Sequence, residues 1–446
     1  MNGFVHLHTH SLFSTLDGVA SPADYFQVAA ERKYPALAIT EHGNLASVPD
    51  AYFASLQTGV KYICGSELYY NDDEPKRKLM MEEQGISSHK MSDDDKRRYS
   101  HNRHLLVLCK NMDGYRNLLK LKELSYEGFF RKPRASSDMV SKCKDGLIIC
   151  SGCMNGPISF ELLQNIEKQN KGGYSDELCN KYYNNAIEIA TKYKNLLGED
   201  FYIELQMPGI ENDVKLFELL LKISKDVGIK CVLTNDAHYI QEKDYRIQRI
   251  MMAIDQDLTI DSPDLFITDS KSGYFKTRDE LEKTFKDKYT SKSVTLVDFN
   301  RVCDNTLEIA DKCESFKPDL SLKLPQIDDA DNTLTRLVAG GLKEKGKAGN
   351  KEYIDRAKHE LERIKEKEFS SYFLICRDLV MQSKKLGMPV GPRGSAGGSL
   401  VCYLIGIHDI DAVYWKTSFD RMLSTSRGGK LLQVNMDNDK LIEEEV

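Results

Sequence analysis

Three histidines alternate near the start of the chain, at His6, His8 and His10, and Asp17 follows them in a turn-like Asp-Gly pair. If this stretch forms a β-strand, alternate residues point to the same face, so the three imidazoles would lie side by side. Neutral imidazole is a common ligand of zinc and related metals. The pattern therefore indicates a metal site, and a half-exposed strand with hydrogen-bonded histidines remains the alternative.

Further residues of metal-ligand type recur along the chain, most of them at the end of an apolar run. They are His42, Glu67, His104, Cys153, Asp236 and His238. A site with several His, Asp and Glu ligands suits the hydrolysis of phosphoesters, because bound metals lower the pKa of water and hold the attacking and leaving oxygens. The combination favours a metal cluster over a purely structural role for these residues.

Seven short runs of apolar and β-branched residues predict the strands that would position these side chains. They lie at residues 4–8, 36–40, 60–64, 105–109, 147–150, 202–205 and 231–234. Amphipathic patterns predict helices between them, for instance at residues 22–32, 115–124, 178–197 and 214–227. Such alternation is typical of parallel strands joined by right-handed crossovers, and we expect a closed β/α barrel rather than an open sheet. The carboxyl ends of its strands would bring the candidate ligands to one face.

The second half of the chain has a helical pattern. The predicted helices lie at residues 278–285, 297–312, 333–345, 353–368 and 372–386, with an extended linker at 317–325. A glycine-rich loop follows at residues 387–399, and its backbone N–H groups could approach phosphate oxygens, with Arg393 as a forked donor. A turn that permits close packing is the alternative. No Walker lysine follows the loop, which disfavours a P-loop ATPase.

Composition fits a soluble protein of two or more domains, with 446 residues, 41% hydrophobic and 29% charged residues, and a formal charge of −6. We expect no signal peptide and no membrane segment, since the beginning is polar and no apolar run approaches membrane-spanning length. Eleven scattered cysteines favour free thiols in a reducing cytoplasm. The single Cys-x-x-Cys, Cys150 to Cys153, has no second copy, which disfavours a zinc knuckle.

The blocks His6-Leu-His-Thr-His-Ser, Thr40-Glu-His-Gly-Asn, Gly65-Ser-Glu, Ser151-Gly-Cys and Thr234-Asn-Asp-Ala-His-Tyr resemble the polymerase-and-histidinol-phosphatase (PHP) domain. These blocks are most similar to those of the alpha subunits of bacterial DNA polymerase III, the C-family replicative polymerases. The resemblance implies a distorted seven-stranded β/α barrel over residues 1–275 and a mostly helical partial polymerase palm over residues 276–446.

The resemblance also implies a ligand set and a reaction for the barrel. When the family's ligand positions are carried over to this sequence one by one, the implied metal ligands are His8, His10, Asp17, His42, Glu67, His104, Cys153, Asp236 and His238. His6 is then a neighbour, and Glu41 stands where the family usually has Asp. The implied cofactor is a Zn²⁺ or Mn²⁺ cluster of up to three ions, with Glu67 as the catalytic, bridging carboxylate. The implied activity is 3′–5′ exonuclease proofreading, or else pyrophosphate hydrolysis.

For the second half, the resemblance implies that the glycine-rich loop holds the triphosphate of an incoming nucleotide. The matching positions are Arg393, Gly394, Ser395, Gly398 and Ser399. The family places an Asp-x-Asp pair for catalytic Mg²⁺ shortly afterwards. Asp437 and Asp439 have that spacing and are the candidates for this pair, although the residues around them do not match the family's signature.

The implied protein is a cytoplasmic replicative polymerase subunit of a bacterium or a phage-infected cell, cut within its palm. Its implied partners are a DNA primer-template, deoxynucleotides, a separately encoded C-terminal polymerase fragment and other replisome subunits. Two alternatives remain open at this point. One is a stand-alone metal-dependent phosphoesterase, and the other is a catalytically silent barrel that braces the polymerase.

Overall fold

The computed structural model describes residues 3–73, 99, 101–171, 176–210, 212–263, 265, 271–321, 323–392, 394–420 and 422–423. The chain divides into two compact units, Met1–Pro318 and Asp319–Val446. The sequence predicted a division after residue 275. In the described part of the chain, no helix is both long and apolar enough to cross a membrane.

The first unit contains one sheet, whose strands follow one another in chain order. They are β1 (Ala36–Ile39), β2 (Lys61–Tyr70), β3 (Arg103–Cys109), β4 (Leu147–Cys150), β5 (Phe201–Leu205) and β6 (Cys231–Leu233). β1 and β2 are parallel, as are β4, β5 and β6, whereas β3 is antiparallel to both of its neighbours. The prediction of strands that are all parallel is therefore wrong for β3.

The seventh predicted strand, residues 4–8, is not confirmed as a strand within the described residues. The segment forms two isolated parallel bridges, His6 with Leu37 of β1 and Thr9 with Ala237 after β6. Its backbone bonds both edges of the sheet, because Ala38 N–H donates to the His6 carbonyl and His10 N–H donates to the Ala237 carbonyl. The ladder stays short because β6 has three residues and Asp236, just beyond it, has a φ of +49°.

The helices of this unit are α1 (Pro22–Glu31), α2 (Val48–Thr58), α3 (Met112–Leu124), α4 (Ser137–Cys143), α5 (Pro157–Lys171), α6 (Asp176–Leu197), α7 (Asp213–Val227), α8 (Tyr245–Asp255), α9 (Arg278–Lys288) and α10 (Leu296–Lys312). The predicted helices at 22–32, 115–124, 178–197, 214–227, 278–285 and 297–312 are confirmed within a few residues. Their starts have ordinary chemical causes. In α1, for example, Ser21 and Asp24 form a capping box and proline occupies the first turn.

Both faces of the sheet are buried, so the strands appear as apolar runs without alternation. One face packs under the surrounding helices, with Leu37, Val107 and Ile203 among its buried residues. The other face encloses a second core in which Ile309 and Ala310 of α10 pack with strand residues. Because α10 completes this inner core, the first unit extends well beyond residue 275.

The second unit is helical in its described part. Its helices are α11 (Ala330–Glu344), α12 (Lys351–Glu366), α13 (Ser370–Lys385) and α14 (Leu400–Leu404), with a 3₁₀ turn at Gly394–Gly398. The predicted helices at 333–345, 353–368 and 372–386 are confirmed. A core of its own, including Leu334, Ile364, Phe373 and Leu400, holds these helices together.

Candidate metal centre

The nine side chains predicted as metal ligands all lie at one edge of the sheet. His8, His10 and Asp17 come from the N-terminal segment and the loop after it, His42 follows β1, Glu67 is in β2, His104 is in β3, Cys153 follows β4, and Asp236 and His238 follow β6. Because β3 is antiparallel to β2, its first residues lie beside the last residues of β2. This reversal brings His104, near the start of β3, to the edge where the other side chains lie.

The Glu67 carboxylate is the centre of the cluster and is fully buried. Its Oε1 lies 2.9 Å from His104 Nδ1 and 3.4 Å from His8 Nε2. Its Oε2 lies 2.6 Å from His42 Nδ1 and 3.8 Å from His10 Nε2. One carboxylate is therefore close to four imidazoles.

Asp236 lies beside both histidines of the N-terminal segment. Its Oδ1 is 3.2 Å from His10 Nε2 and 3.5 Å from His8 Nε2, and the same oxygen is 3.7 Å from His238 Nδ1. The ligand atoms of His8, His10 and Asp236 all lie within 4.8 Å of one another. These three side chains could therefore bind one ion.

Asp17 and Cys153 complete the cluster at its periphery. Asp17 Oδ2 lies 3.0 Å from His42 Nε2 and 3.4 Å from His238 Nε2. Cys153 Sγ lies 3.4 Å from His104 Nδ1. All nine predicted side chains thus form one connected group.

Two more triplets have the spacing of ligands around a single ion. They are His10–His42–His238 and His42–Glu67–His104. Together with the triplet around Asp236, they give three overlapping candidate sites. Each triplet combines nitrogen and oxygen ligands or is all imidazole, which suits Zn²⁺ and similar first-row metals.

Several atoms at the centre of the cluster are buried and make no well-aligned hydrogen bond among the described residues, although they lie at ion-pair distances from one another. They are His8 Nε2, His10 Nε2, His42 Nδ1, Glu67 Oε2 and Asp236 Oδ1. Buried polar atoms in native structures usually have a well-aligned partner, so five such atoms together without one are unusual. Since all five are metal-ligand atoms and face one another, the donor set fits a bound metal cluster.

One side of the cluster is open to a cavity of about 200 Å³. His8, His10 and Glu67 have fully buried side chains, whereas those of Asp17 and Asp236 are 23% and 25% exposed. The cavity is also lined by the amide side chains of Asn155, Gln206, Asn235 and Gln248 and by the thioethers of Met154 and Met252. A small ligand could therefore reach the outer side of the cluster while its inner side stays dry.

Burial and neighbouring charges shift the pKa values of His8 and Glu67 in opposite directions. Burial lowers the pKa of His8, but the surrounding carboxylates, Asp236 first, outweigh burial and raise that pKa well above its ordinary value. Burial would raise the pKa of Glu67, yet the charges of His104 and His8 hold it well below its usual range. Burial raises the pKa of the Cys153 thiol. Protons on imidazoles thus balance the carboxylates, and a bound cation would take their place.

His6 is separate from the cluster, as the ligand set predicted from the resemblance requires. Its Nε2 lies 2.9 Å from the carbonyl oxygen of Lys276, and its ring stacks on Phe275 at 3.9 Å between centroids. Burial lowers the pKa of His6 to about 3, so this imidazole is neutral. The expectation that His6, His8 and His10 share one face is therefore wrong for His6, because the segment is not a regular strand.

Sequence reasoning missed three side chains that contact the ligands. Glu204 of β5 lies 2.6 Å from His8 Nδ1, Ser14 Oγ lies 2.9 Å from His10 Nδ1, and Gln248 Nε2 donates to Asp17 Oδ1 at 2.8 Å. A lone carboxylate in the apolar run of β5 was a usable signal for Glu204. Ser14 and Gln248 had no distinguishing pattern around them.

The glycine-rich loop lies in the second unit, and its predicted nucleotide-binding residues are in different environments. Gly394 and Ser395 are exposed, whereas Gly398 and Ser399 are buried. Ser399 Oγ donates to Glu360 Oε2 at 2.8 Å, so this hydroxyl already has a partner. Arg393, Asp437 and Asp439 lie outside the described residues. The nucleotide-binding role of the loop stays a prediction.

The buried carboxylate of Glu360 also occupies the start of α14. The N–H groups of Leu400 and Val401 donate to it at 2.9 and 3.0 Å, and Arg356 Nε donates at 2.7 Å. The first N–H groups of the helix that follows the glycine-rich loop are thus paired with an internal anion. A phosphate at this loop would have to bind on the exposed side, near Gly394 and Ser395.

Comparison with known proteins covers both units. Residues 6–208 match the PHP domain family, and residues 332–431 match the family described as the bacterial DNA polymerase III alpha NTPase domain. The chain is 34% identical over 439 residues to the DNA polymerase III subunit alpha of Aquifex aeolicus. It is 31% identical over 434 residues to that of Borreliella burgdorferi and 29% identical over 449 residues to that of Helicobacter pylori strain 26695.

These alignments differ in how much of each protein they cover. Each covers 95% of this chain, but they cover 35%, 34% and 34% of the Aquifex, Borreliella and Helicobacter proteins. The chain therefore spans about a third of the length of the curated relatives it matches.

Proposed function

We propose that the chain is the N-terminal portion of a bacterial DNA polymerase III alpha subunit and that its barrel is a metal-dependent phosphoesterase. The match of residues 6–208 to the PHP domain and of residues 332–431 to the bacterial DNA polymerase III alpha NTPase domain supports this proposal. The proposed reaction of the barrel is removal of nucleotides from a 3′ DNA end, as a proofreading exonuclease. The proposed cofactor is Zn²⁺ or Mn²⁺, in a cluster of up to three ions.

The five buried ligand atoms, which face one another without a well-aligned hydrogen bond, are the observation that carries the hydrolase proposal. The nine predicted side chains would hold the cluster, with the Glu67 carboxylate shared between ions because both of its oxygens lie near imidazoles. Bound ions of this kind lower the pKa of water and hold phosphate oxygens. The buried His8 and His10 would keep the inner side of the site free of solvent.

The lining of the cavity also favours a substrate whose charge is met by metal ions. Among the described residues, the cavity is lined by carboxylates, imidazoles, amides and thioethers, without lysine or arginine. A phosphodiester would therefore find its counter-charge in the metals and hydrogen-bond donors in amides such as those of Asn155 and Asn235. Free pyrophosphate has the same chemistry and is the second substrate to test.

The test uses the whole purified chain and its metal content, measured by plasma mass spectrometry, with DNA labelled at the 5′ end. We expect metal-bound protein to shorten the DNA from its 3′ end in the presence of Zn²⁺ or Mn²⁺ and to stop when a chelator is added. The Asp236→Asn variant, prepared in the same way, excludes a contaminating nuclease if its rate falls. Release of phosphate from pyrophosphate without DNA shortening would replace the exonuclease assignment with a pyrophosphatase. Bound metal with neither activity would leave the barrel a silent scaffold.

For the second unit we propose a contribution to DNA-template-directed DNA synthesis that needs further polypeptide. The match of residues 332–431 to the NTPase domain supports this role over that of a stand-alone phosphoesterase. The proposed partners are a DNA primer-template, deoxynucleotides with Mg²⁺, a separately encoded C-terminal polymerase fragment and other replisome subunits in the bacterial or phage-infected cytoplasm.

A primer-extension assay tests this part of the proposal. We expect no extension by the chain alone and extension when the remaining polymerase sequence of a relative is supplied as a second chain. Extension by this chain alone would show that it already holds a complete polymerase site. The polymerase role would be contradicted if neither the chain alone nor the chain with the second polypeptide extended the primer or bound DNA tightly.

A further inference from the structure

Each of the two histidines from the N-terminal segment has one nitrogen facing the cluster and the other facing away from it. His8 Nε2 and His10 Nε2 lie 3.5 and 3.2 Å from Asp236 Oδ1, and neither makes a well-aligned hydrogen bond among the described residues. The Nδ1 atoms instead contact groups behind the cluster. Whether those groups accept or donate a hydrogen bond decides which nitrogen of each imidazole can bind a metal.

The group behind His8 is the carboxylate of Glu204, with Oε1 2.6 Å from His8 Nδ1. Glu204 is buried, and the same oxygen accepts hydrogen bonds from Thr234 Oγ1 at 2.6 Å and Gln206 Nε2 at 3.0 Å. A carboxylate only accepts, so His8 Nδ1 must carry a proton. In the neutral form of His8, which is the form that binds a metal, the lone pair is therefore on Nε2, which faces Asp236 and Glu67.

The group behind His10 is the Ser14 hydroxyl, 2.9 Å from His10 Nδ1. Ser14 Oγ donates its one proton to Glu41 Oε2 at 2.5 Å and accepts from the His42 N–H at 3.1 Å. Having given its proton to Glu41, the hydroxyl can only accept from His10, so His10 Nδ1 also carries a proton. The lone pair of His10 is likewise on Nε2.

Glu41 is held in this position by a second serine. It is buried with no exposed surface, and the Ser11 backbone N–H donates to its Oε2 at 3.1 Å, while the Ser11 hydroxyl donates to Oε1. Glu41 is adjacent to the candidate ligand His42 but does not itself join a ligand triplet. Its carboxylate therefore acts on His10 only through Ser14.

We propose that Glu204 and Glu41 are positioning residues that orient His8 and His10 for metal binding, Glu204 directly and Glu41 through the hydroxyl of Ser14. This inference rests on the proposed metal-dependent function and assigns the nitrogen that each imidazole uses. Both carboxylates make their histidine a stronger ligand, because a hydrogen bond from Nδ1–H to an anion raises the basicity of Nε2. The Ser14 relay passes this effect on through one hydroxyl.

The first experiment measures zinc affinity by competition with a chromophoric chelator, on whole chain that has been stripped of metal. Glu204→Gln and Ser14→Ala should each weaken zinc binding by about 10–100-fold, the range that outer-shell partners of metal-bound histidines produce. Glu360→Gln is the matched control, because it alters an equally buried and well-bonded glutamate in the second unit, and its zinc affinity should equal that of the wild type. Circular dichroism of each metal-free variant shows whether it is folded.

A double-mutant cycle separates the two pathways. Because Glu41 acts through Ser14, Glu41→Gln should have little further effect on zinc affinity once Ser14→Ala is present. Glu204→Gln and Ser14→Ala act on different histidines, so their effects should multiply. Multiplicative effects of Glu41→Gln and Ser14→Ala would overturn the relay.

A measurement on the wild type covers the case in which a variant does not fold. In zinc-loaded protein labelled with ¹⁵N-histidine, two-bond proton–nitrogen correlations should show His8 and His10 with a proton on Nδ1 and none on Nε2. A proton on Nε2 of either residue would overturn the inference. If the wild type binds zinc and Glu204→Gln, Ser14→Ala and Glu41→Gln all bind it equally well, the inference is overturned but the proposed function is not. Wild-type protein that binds no metal would overturn the proposed function and the inference with it.

Discussion

His104 Nδ1 lies 2.9 Å from Glu67 Oε1 across the antiparallel pair of β2 and β3. On its other side, the same carboxylate lies 2.6 Å from His42 Nδ1, which follows β1. Glu67 thus connects side chains from neighbouring parts of the sheet through one buried group. Its removal should affect the cluster more than the loss of any peripheral ligand.

Glu67→Gln should reduce the number of bound metal ions and lower metal affinity by more than the ~10–100-fold that outer-shell partners produce. The reason is that an amide has only one oxygen acceptor and no negative charge to place between the imidazoles. Metal content measured by plasma mass spectrometry after dialysis checks this.

Glu308→Gln is the control for this change. Glu308 accepts from the Tyr202 hydroxyl at 2.8 Å and pairs with Lys230 away from the cluster. It should keep the wild-type metal content. Equal metal content in Glu67→Gln and the wild type would contradict a central role for Glu67.

Addition of Zn²⁺ or Mn²⁺ should raise the midpoint of thermal unfolding of the first unit, and a chelator should lower it. An ion that binds only the folded state at 100 times its Kd stabilises that state by about 2.7 kcal/mol. The ligand triplets are assembled only when the chain is folded, so the folded state is the one that binds. Differential scanning calorimetry with and without metal measures the shift, and an unchanged midpoint in saturating metal would argue against binding.

Gly152→Ala should disturb both His104 and Cys153. Gly152 has a φ of +81°, and a Cβ at this position would lie 2.2 Å from the backbone oxygen of His104. The backbone must therefore move, which separates the segment carrying Cys153 from the start of β3. We expect a loss of stability of several kcal/mol, beyond the ~1 kcal/mol expected for a positive φ alone, together with weaker metal binding.

Gly59→Ala provides the matched comparison. Gly59 also has a positive φ, +72°, but a Cβ there would meet no atom within 4 Å. Gly59→Ala should lose only the stability that the positive φ costs an alanine, and it should keep its metal. Chemical denaturation followed by circular dichroism, together with metal content, distinguishes the two variants, and equal losses in both would show that the contact with His104 has no effect.

Glu360→Ala should open the start of α14 in the second unit. The substitution leaves the Ser399 hydroxyl and the N–H groups of Leu400 and Val401 without their acceptor, and the Arg356 guanidinium without its anion. Removal of one member of such a buried group costs about 3–5 kcal/mol. Hydrogen exchange measured by mass spectrometry should become much faster in peptides containing residues 399–404.

Glu366→Ala on the same helix is the comparison for this change. Glu366 pairs with Arg363 at the surface, with 51% of its side chain exposed. An exposed pair of this kind contributes about 0–1 kcal/mol, so exchange in residues 399–404 should be unchanged. Equal exchange in both variants would mean that Glu360 does not hold the loop.

The sequence by itself determined the types and positions of the candidate ligands and most of the helices. His8, His42 and Asp236 could be singled out because ligand-type side chains at the ends of apolar runs are a local pattern. The helices were predictable because their amphipathic repeat and their caps, such as Ser21 with Asp24 in α1, involve residues only a few positions apart. The similarity to the PHP domain and to bacterial DNA polymerase III alpha subunits was recognisable from such short blocks.

Tertiary structure alone decided how the sheet runs and what supports the ligands. A strand buried on both faces has no alternation, so the apolar run of β3 contains no information about its direction, and its reversal brings His104 to the site. The contact of Glu204 with His8 joins residues 196 positions apart, and no local pattern encodes such a pairing. The opening histidines were thus visible in the sequence, but the groups that orient them became visible only after the chain had folded around them.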